Sequence, residues 1–138
     1  MAVLAVVAAD VRTVEATSAQ LTTVTLGETG TQGQAYRIAS DSKAYLTDSN
    51  AAIEGAEFDG IFIQDGVLDN VCAAQTGGKM YLGVATKEGM LYTGSPTPGA
   101  IEECTSAVAS GNTTTLMGYG DSDGNFVFNV LETGETVS

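Results

Sequence analysis

The chain has 138 residues, one domain by length, and carries 17 acidic against 5 basic side chains for a formal charge of −12. That charge repels phosphate backbones and anionic lipid, which excludes direct binding to nucleic acid or a membrane surface. The chain has no histidine, so imidazole-dependent chemistry, from Ser/His/Asp and Cys/His catalysis to histidine-bound zinc, is excluded too.

Leu, Ile, Val and Phe number 31 and Ala 18, so the core is small and built from small side chains. Eighteen Thr and 17 Gly against two Pro suit pleated strands joined by tight turns. The expected fold is all-β: a small β-barrel, β-tulip-like or sandwich domain with an extended N-terminal arm. The arm is expected over residues 1–15 and the single β domain over 16–138.

The first nine residues are apolar but lack a basic n-region, and they fall short of the ~20 that a membrane helix needs. They are expected to stay on the mature chain. Val3, Val6, Val7, Val11 and Val14 are β-branched, which predicts an extended arm or first strand. Tyr36 with Ile38, and Ala44 with Leu46, predict short strands, and 49–54 predicts one capped helical turn. Ile61 and Ile63 lie between two Asp-Gly turn signals, at Asp59 and at Asp65.

Next, Val67, Val71 and Ala73 alternate with Leu68 and Cys72. From 79 to 85, Met80, Leu82 and Val84 share a face opposite Tyr81. Leu91 and Tyr92 mark another segment, and 102–109 predicts a second helical turn. Thr113 to Met117 leads to Asp123-Gly124, a pair that favours a primed hairpin turn, and then to a strand over 125–131 with Phe126, Phe128 and Val130 on one face. Seven to nine strands result.

Three segments have the outline of chemical motifs. Asp121, Asp123, Asn125 and Glu132 have the oxygen-ligand spacing of a calcium loop, but Phe126 stands where the loop needs Gly, and a hairpin turn accounts for them. Gly77-Gly78-Lys79 resembles the end of a phosphate loop, yet Ala73 replaces its first Gly and Met80 its Ser or Thr. Asp59 and Asp65 read as turn residues before they read as an acid/base dyad.

Cys72 and Cys104, 32 residues apart and without a CxxC pair, read as reduced, half-buried thiols. The acidic stretch Glu54, Glu57, Asp59, Asp65 and Asp69 reads as a solvated face. No catalytic residue, metal or cofactor is expected; the composition points to binding or building.

The opening Met1-Ala-Val-Leu-Ala-Val-Val-Ala-Ala-Asp-Val-Arg12 resembles the N-terminus of capsid decoration (cement) proteins of tailed bacteriophages. Collinear elements extend the resemblance over nearly the whole chain: Gly33-Gln-Ala-Tyr36, Asp48-Ser-Asn-Ala-Ala52, Gly89-Met-Leu-Tyr-Thr-Gly-Ser-Pro-Thr-Pro-Gly-Ala-Ile101, Ala109-Ser-Gly111 and Leu116-Met-Gly-Tyr119. An extra Pro within 94–98 and the Gly-rich segment 72–79 depart from the family pattern.

The resemblance implies a β-barrel or β-tulip domain, clustered as homotrimers on the outer surface of the capsid. It would be a non-enzymatic virion protein, made in the host cytoplasm, that stabilises contacts between major capsid protein subunits. Its expected partners are the major capsid protein and other copies of itself. The expected contact residues are Val3, Leu4, Val6, Val7, Val11, Arg12 and Val14 of the arm, which would add main-chain hydrogen bonds to an exposed strand edge of the capsid or a neighbouring copy. Arg37 is a candidate polar contact.

Three other readings are weighed beside it. One is a tail or adaptor component that assembles as a ring. Another is a virion-borne receptor or glycan-binding module that stacks sugars on Tyr36, Tyr45, Tyr81, Tyr92 or Tyr119. The third, a histidine-free glycosidase, has no sequence support.

Overall fold

A computed structural model describes residues 3–15, 17, 19–48, 58–95, 97–104 and 113–136, with the side chains at 113–115 and 130–136 outside the description. Eleven strands among the described residues, against the seven to nine expected, follow a short 3-10 turn at Ala8–Asp10: β1 Val11–Val14, β2 Gln20–Thr25, β3 Ala35–Ile38, β4 Ala44–Leu46, β5 Gly60–Phe62, β6 Val71–Gly77, β7 Lys79–Leu82, β8 Leu91–Gly94, β9 Ile101–Glu103, β10 Thr113–Gly120 and β11 Phe126–Thr136.

They form two sheets in which every ladder is antiparallel. The larger has the order β1-β7-β11-β10-β8-β9 and the smaller β2-β6-β5-β3-β4. Neither closes into a barrel, so of the expected architectures the sandwich-like one is observed.

The chain passes from the larger sheet to the smaller between β1 and β2, and returns across a single residue. Gly78, with φ +86°, separates β6 in the smaller sheet from β7 in the larger. An L side chain strains at that φ, which accounts for the Gly at the joint. What resembled a phosphate loop is thus the bend between two sheets.

The main core lies where the sheets face each other. Val11, Met80, Leu82, Tyr92, Ile101, Met117 and Phe126 come from the larger sheet and meet Ala35, Ile61 and Phe58, all buried. Phe126 sets its ring edge-on to Tyr92 and to Phe128, with centroids 6.2 and 5.2 Å apart. A second cluster of Leu26, Tyr36, Ala44, Phe62, Cys72 and Ala74 lines the other face of the smaller sheet. That sheet curls enough for Leu26, just past β2, to bridge Ala44 of β4, and Tyr36 stacks on Phe62 at 4.8 Å inside the curl.

The two cores explain the sequence pattern. The alternation at Phe126/Phe128 and at Met80/Leu82 corresponds to one buried face, whereas β5 reads Gly-Ile-Phe with all three residues buried because both its faces are covered.

Four local expectations change. Val67 to Asn70 form a turn, closed by Asn70 N–H donating to the Val67 carbonyl, and the strand begins only at Val71. Glu102 and Glu103 lie in β9, not in a helical turn; the rest of that segment, and the turn expected at 49–54, lie outside the described residues. The β10–β11 connection is a five-residue loop, 121–125, in place of a two-residue primed turn. Asp121 Oδ1 accepts the N–H groups of Asp123 and Asn125 at 2.9 Å each, and only Gly124 takes positive φ, at +82°.

The fourth change concerns the N-terminal segment. The sequence sets a boundary at residue 15, yet β1 is an edge strand of the larger sheet, paired with β7 from Val11↔Leu82 to Val14↔Lys79. Val11 is buried in the main core, and Leu4 and Val6 pack against it. The energetic reason is simple: a fully buried valine or leucine contributes ~1.5–3 kcal/mol, and these side chains find an apolar seat within their own chain.

Candidate functional site

The N-terminal segment acts as a strap. Val3 bridges Glu102, and Leu4 N–H donates to the Ile101 carbonyl at 2.7 Å, so its beginning lies on β9, one edge of the larger sheet. Val7 N–H donates to the Leu82 carbonyl at 3.0 Å, and β1 then covers β7 at the opposite side. Gly33, at φ +90°, lets the strap come close, because a Cβ there would lie 2.6 Å from Val6 Cγ1 and 2.9 Å from Val11 Cγ2. Gln32 fixes the approach by donating from Nε2 to the Val11 carbonyl at 2.8 Å.

The expected contact residues therefore divide. Val11 is buried, and Leu4, Val6 and Val14 are partly buried against the chain's own body. Val3 and Val7 face outward, 47% and 44% exposed. Arg12 is exposed and lies over the Tyr81 ring at 4.5 Å. Arg37 is only half-exposed, lies 5.4 Å over Tyr45, and buries an Nε that has no hydrogen-bond partner.

Beside the strap lies an apolar cleft of about 370 Å³ between Leu4–Ala8, the 31–34 turn and the 97–100 turn, with no charged side chain in its lining. Thr31 also belongs to a second cleft of about 440 Å³, where Gly30 and Gly66 exchange main-chain hydrogen bonds of 3.0 and 2.9 Å. Asp65 and Val67 border this second cleft, and Asp65 Oδ1 accepts the Gln32 N–H at 2.8 Å. The two clefts adjoin at Thr31, which lines both. Further exposed apolar side chains, Leu68 and Val71, stand at the end of the β5–β6 hairpin beside Val67.

All five basic side chains are engaged within the chain. Besides the two arginines, Lys43 pairs with Asp69 at 2.9 Å and Lys87 with Glu103 at 2.7 Å, while Lys79 lies 3.6 Å from Asp121 and 4.0 Å from Glu15. The hydrogen bonds to Asp69 and Glu103 hold Lys43 and Lys87 above the usual lysine range. Among the described residues most acidic side chains face solvent, while Glu102 and Glu103 of β9 are buried.

The other candidate residues have structural roles. Asp59 Oδ2 accepts the Ile38 N–H at 2.6 Å, and both aspartates of the supposed dyad thus hold main-chain donors. Tyr36 and Tyr92 are buried, which removes two of the five proposed stacking platforms; burial, then the Asp59 carboxylate, pushes the Tyr36 phenol upward. Cys72 and Cys104 are free thiols; burial raises the Cys72 thiol, which donates to the Gln64 carbonyl at 3.1 Å. Among the described residues, no three His, Cys, Asp or Glu side chains cluster in a way that would hold a metal ion.

Gln75 was missed by sequence reasoning. It is fully buried, accepts the Thr13 hydroxyl at 3.0 Å, and donates to the carbonyls of Gly77 and Lys79 at 2.8 Å each, tying β1 to the bend between the sheets. No protein-family model matches the chain, nor does any curated protein or solved structure.

Proposed function

We propose that this chain is a non-enzymatic virion protein that binds the outer surface of a tailed-phage capsid and stabilises contacts between major capsid protein subunits. One observation supports it beside the sequence resemblance. The N-terminal segment ends in an edge strand whose outer side pairs with no strand among the described residues, and Val3 and Val7 point outward along the same segment. An unpaired strand edge is the surface that strand addition uses, with main-chain hydrogen bonds for affinity and side-chain contacts for fit; Val7 stands four residues before β1, and Val3 at the β9 end of the strap.

The strap's inner edge is already paired, so it is the outer edge that would meet the capsid. Repetition over several copies then raises avidity by ~10²–10⁴ without new contacts. Because Val11 is part of the core, deleting residues 2–14 would injure the fold as well as the interface. The cleaner perturbation is Val3→Asp with Val7→Asp, both at exposed positions. The variant is expected to keep the wild-type circular dichroism and urea midpoint but to stop sedimenting with expanded capsids of the phage that encodes this chain. Failure of the wild-type protein to sediment with those capsids would overturn the reading.

A further inference from the structure

We propose that the trough formed by the two clefts receives an extended apolar segment carrying a lysine or arginine at one end, supplied by the shell subunit. The inference rests on the capsid reading for the source of the segment but not for its chemistry. A cleft of about 370 Å³ falls within the size range of ligand pockets and, with no charged group in its lining, suits aliphatic side chains. Glycines line both clefts, Gly33 and Gly99 the first and Gly30 and Gly66 the second. Gly33 and Gly99 take positive φ, +90° and +78°, and a Cβ on Gly99 would lie 3.1 Å from Gln34. Gly30 and Gly66 pair back to back under the second cleft.

Charge selects the occupant. Among the described residues lining the two clefts the only ionisable side chain is Asp65, an exposed carboxylate in the second cleft whose Oδ1 holds the Gln32 N–H. The molecule around it carries −12, and its five cations are all engaged internally. A second copy would bring the same excess of negative charge to the contact, whereas a basic residue placed at Asp65 meets an attractive field. Val67 beside Asp65 supplies apolar cover for the aliphatic stem of such a residue.

The test uses the isotope-labelled full chain titrated by NMR with two capped hexapeptides, Val-Leu-Val-Ala-Lys-Gly and the same sequence with Glu in place of Lys. The Lys peptide is expected to shift the amides of Thr31, Gly33, Gly66 and Ala100 together and to saturate in the millimolar range, with weakening as salt is added. Asp65→Asn is expected to weaken it by up to about fivefold, the span of an exposed ion pair. Ala5→Trp, which places bulk at an exposed rim of the first cleft, is expected to abolish the shifts while the urea midpoint stays unchanged. Three results would each overturn the inference: no shifts at millimolar peptide, equal binding of the Glu peptide, or the same amides shifting with protein concentration alone, which would assign the trough to a second copy. Capsid sedimentation separates the two proposals. If the wild type binds capsids and the Ala5→Trp and Asp65→Asn variants bind them equally well, the trough is not the shell's receptor and the edge-strand reading stands alone.

Discussion

Replacing Gln75 by methionine keeps the length of the side chain and removes three hydrogen bonds from the junction of the two sheets. The carbonyls of Gly77 and Lys79 each lose an amide donor at 2.8 Å, and the Thr13 hydroxyl loses its acceptor at 3.0 Å. A buried polar group left without a partner costs about 1–3 kcal/mol, and removing the amide itself returns part of that because its own desolvation also disappears. The net expectation is a loss of about 2–4 kcal/mol, a sizeable share of the 5–15 kcal/mol typical of a domain. Thr13→Val, at a partly buried site, should cost about 1 kcal/mol, and the double variant should cost less than the sum because the two share one bond. Urea unfolding measures all three, with an unchanged m-value as the control for two-state behaviour. A Gln75→Met protein within about 0.5 kcal/mol of wild type, the range of an inert surface substitution, would refute the idea that this amide holds the bend.

Gly118→Ala should destabilise by about 3 kcal/mol, the upper part of the overpacking range, because its Cβ would run into the Val127 carbonyl oxygen of the paired strand; calorimetry would show a lowered midpoint. Desolvation pushes the Asp121 carboxyl up, but the N–H groups of Asn125 and Asp123 together with Lys79 outweigh it and hold the carboxyl below its usual range. A depressed folded-state value stabilises above the unfolded pKa of about 3.9, and that stability is lost as pH falls through the folded value. Asp121→Asn should therefore flatten the acid limb of a urea-midpoint profile. Iodoacetamide followed by mass spectrometry should label Cys104 first and Cys72 only on unfolding, since Cys72 is fully buried with a raised thiol and Cys104 is half-exposed.

Much of the sheet structure was legible because its alternation is local. Met80 with Leu82 and Phe126 with Phe128 announce their buried faces, whereas of the three Asp-Gly pairs only Asp123-Gly124 lies in a turn: Gly60 opens β5 and Gly66 bridges Gly30. The segments with less clear outcomes are those whose environment is set from far away. Val11 and Leu4 read as a free arm because nothing in nine apolar residues says which surface they cover; β7 and β9 supply it from 68 or more residues further on. Gln75 drew no reading at all, since a polar side chain in a half-buried strand usually faces water. Its three partners lie at a bend that only the tertiary structure creates. The trough was invisible for the same reason: its lining includes Gly30, Gly33, Gly66 and Gly99, each of which reads alone as ordinary punctuation.

The strap also sets a timetable for the polypeptide as it leaves the ribosome. Leu4 cannot find the Ile101 carbonyl until translation has passed that residue, almost one hundred positions later. Until then the nascent chain exposes valines with no seat, and β9, once made, has an unclaimed flank. Such late, distant closure slows folding and lengthens the interval in which loose ends can pair wrongly. The final clasp is therefore the step at which crowded synthesis of many copies is most vulnerable to tangling.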